Sequence, residues 1–296
     1  LWIEEIDFDL SRFNSILFDG WSKNGSLYGI PKDVGTSLLA INSDMMKEKN
    51  IENLPETMEE LAVLAAELTT DEVYGICINL HEFHITQYVH AFGGGWNNGE
   101  TINSKENIEG IEFIVDLYKQ GYACTPNQVA LDWDGPAMAG SVVAMSTGGP
   151  WYMGYMLESE PEMNITYVTI PQGKVKTQTV YSGGYAISKT SEHKLEAIKV
   201  IEYMTRDEAM DYTIESQLRV PSTLEGWNEY IGGVDDDGVL TVLNGIEENG
   251  QAFNYPDKKS DFARDLIEGL EAIIFLDKGL TVEELLKELQ ENYGRQ

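Results

Sequence analysis

The amino-acid sequence predicts an α/β fold, and three observations support this prediction. The chain has 296 residues, about twice the ~150 residues of a common single domain, so two lobes are the first expectation and one large α/β domain is the second. Several segments carry apolar residues at helical spacing. Short apolar or β-branched runs lie between those segments, and this alternation is typical of parallel sheets covered by helices on both faces.

The predicted helices begin at capping residues and have one apolar face each. Residues 57–60 and 281–284 have the sequence of a capping box, in which a Thr hydroxyl and a Glu carboxylate each satisfy a backbone N–H. Apolar residues then recur at i, i+3, i+4 spacing, which predicts buried faces. These faces are Leu61, Leu64, Ala65 and Leu68; Ile108, Ile111, Val115 and Tyr118, in a helix between Ser104 and Gly121; Ala197, Val200, Ile201 and Met204; and Leu285, Leu286 and Leu289.

The predicted strands are short. They cover residues 74–78, 142–146, 165–170 and 185–188. The sequence contains no internal repeat, low-complexity tract or Pro/Ser-rich linker between them. If there are two lobes, we therefore expect the chain to cross between them through short ordered segments.

The composition excludes several classes of partner. The chain is 42% hydrophobic and 24% charged, as in soluble globular proteins, but its 20 basic and 50 acidic residues give a net charge of -30. Such a charge repels nucleic acid and anionic membrane surfaces, and we interpret the acidic residues as a solvated surface. Cys77 and Cys124 fit neither a zinc spacing nor a disulfide framework.

No motif in the sequence indicates catalysis or a cofactor. His81 and His84 flank Glu82 at i, i+3 spacing, whereas the zincin motif needs two His at i, i+4. Residues 235–238 resemble part of a calcium loop, but the first and last ligand positions hold Gly233 and Asn244, so an acidic surface turn is the better interpretation. Phosphate loops, Ser nucleophile elbows and dinucleotide motifs do not occur in the sequence. We expect no metal, cofactor or catalytic residue.

Aromatic residues in glycine-rich turns are the candidates for ligand contacts. They are Trp96, Trp133, Trp151, Tyr152 and Tyr181. An aromatic face fits the apolar CH face of a sugar ring, and neighbouring polar groups bind its hydroxyls. For each Trp, a packing role is the alternative interpretation.

A series of short motifs carries a family resemblance along the whole chain. LYGIPKD at residues 27–33, INSDM at 41–45 and LPETMEEL at 54–61 resemble the corresponding series of family 1 extracellular solute-binding proteins. AFGG, AGSVVAM, GPW, PQG and GGYAISK follow in the order of that family, and GLTVEEL at 279–285 resembles its ending.

The resemblance implies a type II periplasmic-binding-protein-like fold, in which two α/β lobes enclose a cleft and close about a hinge. The chain is expected to cross between lobes near 34–35, near 183 and around 235–239. One lobe would comprise 1–34 plus 183–237 and the other 35–182 plus 238–296. The resemblance also suggests that N-terminal βα units of the first lobe precede Leu1 and are missing here.

The resemblance further implies a set of ligand contacts. Trp151 matches the stacking Trp of the family's Gly-Pro-Trp motif, whereas Met58 stands where the family usually has Trp. Ala263 lies near a position where a family member has another stacking Trp, and this second departure argues against assuming a maltodextrin ligand. The complete expected set is Trp151, Tyr152, Asp33, Thr36, Phe83, His84, Trp96, Trp133, Tyr181, Gly183, Gly184, Arg219 and Arg264.

The function implied is that of the extracellular substrate-binding component of an ABC importer. Such a protein binds a sugar or oligosaccharide, delivers it to membrane permease subunits, acts as a monomer and catalyses nothing. The alternatives are a receptor for a non-sugar solute, such as a polyamine, a phosphodiester or an iron chelate, and a glycoside hydrolase. The expected location is the cell surface, through a lipid anchor, or the periplasm. Because the chain begins at Leu1, we expect the export signal to lie upstream.

Overall fold

The computed structural model of the protein describes residues 6–159, 161–215, 220–276 and 278–295. The α/β class is confirmed, since helices and short strands alternate along the chain. The strands are β1 (Ser22–Lys23), β2 (Ser26–Leu27), β3 (Ile30–Pro31), β4 (Asp33–Thr36), β5 (Leu38–Asn42), β6 (Ile76–Cys77), β7 (Ala123–Cys124), β8 (Met145–Gly148), β9 (Ile165–Val168), β10 (Gln178–Tyr181), β11 (Gly184–Tyr185), β12 (Val220–Pro221) and β13 (Gly250–Ala252).

The helices alternate with these strands and cover the sheets. They are α1 (Ser43–Glu48), α2 (Met58–Leu68), α3 (Glu82–Ala91), α4 (Lys105–Lys119), α5 (Asp134–Ala139), α6 (Pro150–Ser159), α7 (Lys194–Met204), α8 (Asp207–Glu215), α9 (Leu224–Gly232), α10 (Asp237–Asn249), α11 (Lys259–Phe275) and α12 (Val282–Tyr293). Within the described ranges, no helix combines the length and apolar character needed to cross a membrane.

The larger sheet has five strands in the order β7-β6-β8-β5-β9. Strand β6 runs parallel to β7 and β8, whereas β5 runs antiparallel to both β8 and β9. The prediction of purely parallel sheets was therefore wrong. The reason is that β5 enters this sheet directly from β4, without the helical crossover that a parallel neighbour requires.

A second sheet, which we call the hinge sheet, has the order β12-β4-β10-β13. Strand β4 pairs antiparallel with β10 and β12, and β10 pairs parallel with β13. Ser37 alone separates β4 from β5, so one extended segment takes part in both sheets. Ser37 is also fixed by hydrogen bonds, since its N–H donates to the Thr179 carbonyl and its Oγ accepts from the Thr179 N–H. A further strand pair, β3 with β11, lies next to this segment along the chain.

Capping and apolar spacing explain the helices that the sequence predicts best. In α2 the Thr57 hydroxyl accepts from the Glu60 N–H, and the Glu60 carboxylate accepts from the Thr57 N–H, so the predicted capping box is confirmed. The predicted face of α2 is buried in the main core. In α7 the face differs from the prediction, because Ile198 is buried while Val200 is 56% exposed.

Candidate functional site

A cleft of about 710 Å³ is the candidate site. Its walls come from the segment before and within the β1–β2 hairpin, from the start of α3, from the end of β10 and from the segment between β13 and α11. These four segments are distant in sequence, so the fold itself creates the cleft. Its aromatic and charged lining residues are Asp19, Trp21, Lys23, Tyr28, His81, Glu82, Phe83, Tyr181, Phe253, Tyr255, Asp257 and Lys259.

Two helix starts bring side chains to one edge of the five-stranded sheet. Helix α3 follows β6, and α6 follows β8, and these two strands are parallel neighbours. The carboxyl ends of parallel strands meet at the same edge, which is where α/β folds bind ligands. The His81 Nδ1 accepts from the Phe83 N–H and caps α3. Pro150 occupies the first position of α6, where its missing N–H costs no hydrogen bond, and Trp151 follows it.

Five rings form a contiguous aromatic cluster at this edge, which we call the aromatic cluster: Phe83, Trp151, Tyr181, Phe253 and Tyr255. The Phe83 ring centroid lies 5.1 Å from that of Trp151, 4.9 Å from that of Tyr181 and 5.5 Å from that of Phe253. Phe253 stacks on Tyr181 at 5.7 Å and on Tyr255 at 5.2 Å. Separations of this size are favourable for aromatic pairs, so each ring holds its neighbours in place.

Strand register and two glycines explain why Tyr181 joins this cluster. Val180 of β10 pairs in parallel with Ala252 of β13, so the next residues along the two strands, Tyr181 and Phe253, are neighbours. A Cβ at Gly35 would lie 2.0 Å from the Tyr181 ring, and one at Gly149 would lie 2.5 Å from the Tyr181 hydroxyl. Both positions therefore need glycine for the ring to lie where it does.

The two lysines of the described cleft lining form ion pairs with carboxylates. The buried Glu82 carboxylate lies 3.0 Å from the Lys259 Nζ. The Lys259 ammonium also lies 4.7 Å from the centroid of the Tyr255 ring, in a cation–π arrangement. Asp257 pairs with Lys23 from the β1–β2 hairpin. In the described part of the cleft, each lysine is thus paired with a carboxylate.

The opposite wall is built on a tight hairpin. Strands β1 and β2 are joined by a two-residue turn in which Asn24 and Gly25 both have positive φ, at 52° and 75°. Trp21 precedes the hairpin and donates from its Nε1 to the Ser182 Oγ at 2.7 Å. Tyr28 follows the hairpin and is 64% exposed.

Phe83, Tyr181 and Trp151 are the predicted contacts that the structure brings together. Phe83 and Tyr181 line the cleft, and Trp151 packs beside both of them with 36% of its surface exposed. These three side chains therefore stay candidates for ligand contacts.

Three other predicted contacts lie in the interior, and the expectation that they face a ligand is corrected. Trp96 is fully buried and donates from its Nε1 to the Thr86 Oγ1. Tyr152 is also fully buried, and its hydroxyl donates to the carbonyl of Asp134. Thr36 has no exposed surface and donates to the Thr179 carbonyl. Each of these three side chains donates a hydrogen bond to a buried acceptor, so its role is structural.

Four predicted contacts lie next to residues of the cleft lining but are not part of that lining. His84 is buried, with its Nδ1 3.3 Å from the Thr147 Oγ1, and burial lowers its pKa. Its ring meets the Phe83 ring edge-on at 5.1 Å. Asp33 is buried and accepts from the Gly183 N–H at 2.6 Å. Gly183 and Gly184 thus hold the segment between β10 and β11 against β3 and β4.

Two further predicted contacts, Trp133 and Arg264, are not part of the cleft lining. Trp133 packs edge-on against Tyr155 at 4.6 Å and covers Gly135. Arg264 is exposed on α11, where it pairs with Asp261 and Asp265. Arg219 lies outside the described residues.

Several cleft residues were missed by sequence reasoning. Phe253 and Tyr255 follow β13, a strand of three residues without an apolar run. Their alternation with Asn254, immediately before Pro256, was the signal that could have identified them as a ligand-facing loop. Lys259 opens α11 as an ordinary surface lysine in the sequence, and only the fold reveals its pairing with Glu82.

Comparisons with known proteins agree with this geometry. Residues 3–226 match a family model described as bacterial extracellular solute-binding protein. An arabinooligosaccharide-binding protein of Halalkalibacterium halodurans is 22% identical over 306 residues, which covers 95% of this chain and 68% of that protein.

Solved structures share the fold at low sequence identity. An ABC substrate-binding protein from Listeria monocytogenes in complex with cycloalternan superposes with a TM-score of 0.86 at 20% identity, over 98% of this chain and 77% of that chain. UgpB from Mycobacterium tuberculosis in complex with glycerophosphocholine superposes with a TM-score of 0.79 at 17% identity, over 98% of this chain and 76% of that chain. At these identities the likeness shows the two-lobed fold alone.

Proposed function

The chain belongs to the bacterial extracellular solute-binding protein family, and we propose that it captures a neutral sugar or oligosaccharide for an ABC importer. The observation that carries this proposal is the aromatic cluster at the edge of the cleft. Phe83, Tyr181, Phe253 and Tyr255 line a cleft of about 710 Å³, and Trp151 adjoins them.

Aromatic walls with a few polar groups suit a carbohydrate. The apolar CH face of a pyranose packs against an aromatic ring, while its hydroxyls need donors and acceptors at the rim. Asn98, Asn254 and the Glu82–Lys259 ion pair line the cleft and provide hydrogen-bond donors and acceptors. A pair held in place by mutual attraction presents fixed polar atoms and pays little ordering entropy when the ligand binds.

The ion pairs favour a neutral ligand over a charged one. An anionic phosphodiester would have to displace Glu82 from Lys259, or Asp257 from Lys23, to gain a cationic partner. A polyamine would face the same competition at Glu82 and Asp257, which leaves Asp19 as the carboxylate of the described lining outside these two pairs. A neutral glycan needs neither exchange, so it gains its contacts without breaking an existing pair. The overall charge of -30 adds to the repulsion of anions.

Two relatives support a glycan, and one supports the alternative. One relative is named for arabinooligosaccharides, and one structural neighbour holds cycloalternan. A third holds glycerophosphocholine, which keeps a phosphodiester as the second candidate. The arrangement of charges in this cleft is the reason to rank the glycan first.

The proposed mechanism is binding without chemistry. Ligand contacts both walls of the cleft, so it favours a closed state by its differential affinity for that state, and the hinge sheet carries the rotation. The closed, loaded protein then docks on membrane permease subunits. We propose a monomer located outside the cytoplasmic membrane, held by a lipid anchor or free in a periplasm, with lobes comprising 1–34 plus 183–237 and 35–182 plus 238–296.

A ligand screen tests the proposal. The protein is melted with a panel of mono- and oligosaccharides, with glycerophosphocholine and with a polyamine as charged comparators, because a ligand of the folded state raises Tm by mass action. We expect a neutral glycan to raise Tm and to be recovered intact. A shift with glycerophosphocholine alone would favour the phosphodiester receptor, and release of shortened glycan would indicate a hydrolase.

A further inference from the structure

Two cysteines lie directly opposite each other in the five-stranded sheet. Cys77 of β6 and Cys124 of β7 form a register pair between parallel strands. Side chains of such a pair point to the same face of the sheet. Both residues are fully buried in the same hydrophobic cluster, and both thiols are free in the structure.

Chance does not readily explain this pairing. The chain has only two cysteines among 296 residues, and they are 47 positions apart in sequence. A buried residue contacts roughly 6–12 others, so a second cysteine placed at random would be a neighbour in roughly 3% of cases. A direct register partner is rarer still.

The backbone geometry is close to that of a disulfide. Neighbouring strands lie about 4.8 Å apart, which is inside the range of about 4.4–6.8 Å for the Cα atoms of a disulfide. The Cβ atoms of a disulfide are closer, at about 3.5–4.5 Å, so one strand must move by a few tenths of an ångström. Strand β7 is at the sheet edge and has two residues, so it can make this shift.

Both thiols are shielded from solvent in the folded protein, because both side chains are fully buried. A thiol–thiol hydrogen bond with Cys124, together with burial, raises the pKa of Cys77 well above its ordinary value. The thiolate is the species that attacks a disulfide, so exchange in the folded state is slow. A bond between these residues must therefore form while the chain folds. Members of an extracellular family fold in an oxidising environment, where such bonds form and persist.

We propose that Cys77 and Cys124 form a disulfide in the exported protein. Each thiol loses its proton, one S–S bond forms, and two electrons pass to the disulfide of an extracytoplasmic thiol oxidoreductase, which becomes a dithiol. The bond joins the edge strand β7 to β6 and closes a loop that contains α3 and α4. This inference rests on the family's location and on strand register, and it is independent of which ligand the cleft binds.

Differential alkylation of the full-length protein tests the inference. The protein is exported into an oxidising compartment, denatured with iodoacetamide present, and weighed before and after reduction. In the peptides that contain Cys77 and Cys124 we expect no carbamidomethyl group before reduction and one on each cysteine after reduction and renewed alkylation, with a monomer on non-reducing gels. Complete alkylation without reductant would overturn the proposal, and so would a disulfide-linked dimer.

A second measurement separates a structural bond from an incidental one. Closing a loop of this length should raise Tm by about 3 to 7 °C, since a disulfide contributes about 2–4 kcal/mol and the unfolding entropy of a chain of this size is about 0.6 kcal/mol per degree. Reductant should therefore lower the Tm of the wild type and leave that of a Cys77→Ser, Cys124→Ser double variant unchanged. Equal effects of reductant on both proteins would contradict a stabilising bond.

Discussion

Replacing Trp151 by alanine is the sharpest test of the aromatic cluster. In the structure 36% of the Trp151 surface is exposed, and the rest packs against Phe83, Tyr181 and its own helix. With about 250 Å² for a whole Trp side chain, the exposed part is about 90 Å². At ~25 cal/mol per Å², covering that surface with a sugar ring is worth at most about 2 kcal/mol. Trp151→Ala should therefore weaken glycan binding up to about 30-fold.

Calorimetry with the glycan that raises Tm most measures this loss. Trp151→Phe should retain most of the affinity, because a smaller ring still stacks. Tyr203→Ala is the matched control, since Tyr203 is a 66% exposed aromatic residue on α7 and does not belong to the cleft lining. If folded Trp151→Ala binds within about twofold of the wild type, the proposed stacking is refuted.

Four further predictions concern the hinge, titration, metals and closure. Gly35→Ala should cost about 1–3 kcal/mol and weaken glycan binding, because its Cβ would meet the Tyr181 ring; unchanged Tm and Kd would contradict this. Burial lowers the pKa of His90 to about 3, whereas the unfolded chain binds that proton below about pH 6.5. The stability that neutral His90 contributes is thus present above pH ~6.5 and is lost as the pH falls toward ~3. In melts between pH ~7 and ~4, the Tm of the wild type should fall more steeply with pH than the Tm of His90→Gln. Parallel Tm curves for the two proteins would count against this prediction. Dialysis against a chelator should change neither Tm nor affinity, because the described residues contain no group of three or more His, Cys, Asp or Glu side chains that could hold a metal ion; a large loss of either would indicate a metal. Saturating glycan should reduce the radius of gyration in small-angle scattering, and a constant radius would indicate a preformed cleft.

Local signals made part of the fold predictable. Helices α2 and α12 have capping boxes that act within four residues, so sequence alone located their starts. Strands were harder, because their pairing depends on distant segments. The run from β4 to β5 was not predicted as a strand, although it joins the two sheets and its apolar residues 38–41 are a run typical of a buried strand. The residue limits of the two lobes stay a prediction.

The site was predictable only where a motif fixed the geometry. Trp151 follows Gly149 and Pro150, and the helix start directs it to the cleft edge. Trp96 also follows glycines, yet it is fully buried, because contacts with α3 and α11 that no local pattern encodes decide its exposure. Glycine-rich surroundings therefore do not distinguish a ligand-facing Trp from a packed one.

The hinge sheet limits how the lobes can move. A slip of one residue between its strands would turn buried side chains such as Val34, Val180 and Val220 to the opposite face, so translation along the strands is excluded at low energy. Twisting a sheet keeps every strand pairing intact. Rotation of one lobe relative to the other is therefore the motion that costs the least free energy. Ligands of different length should then close the cleft through the same angular path. Discrimination among them would arise from the contacts made at the end of that path rather than from different closed shapes.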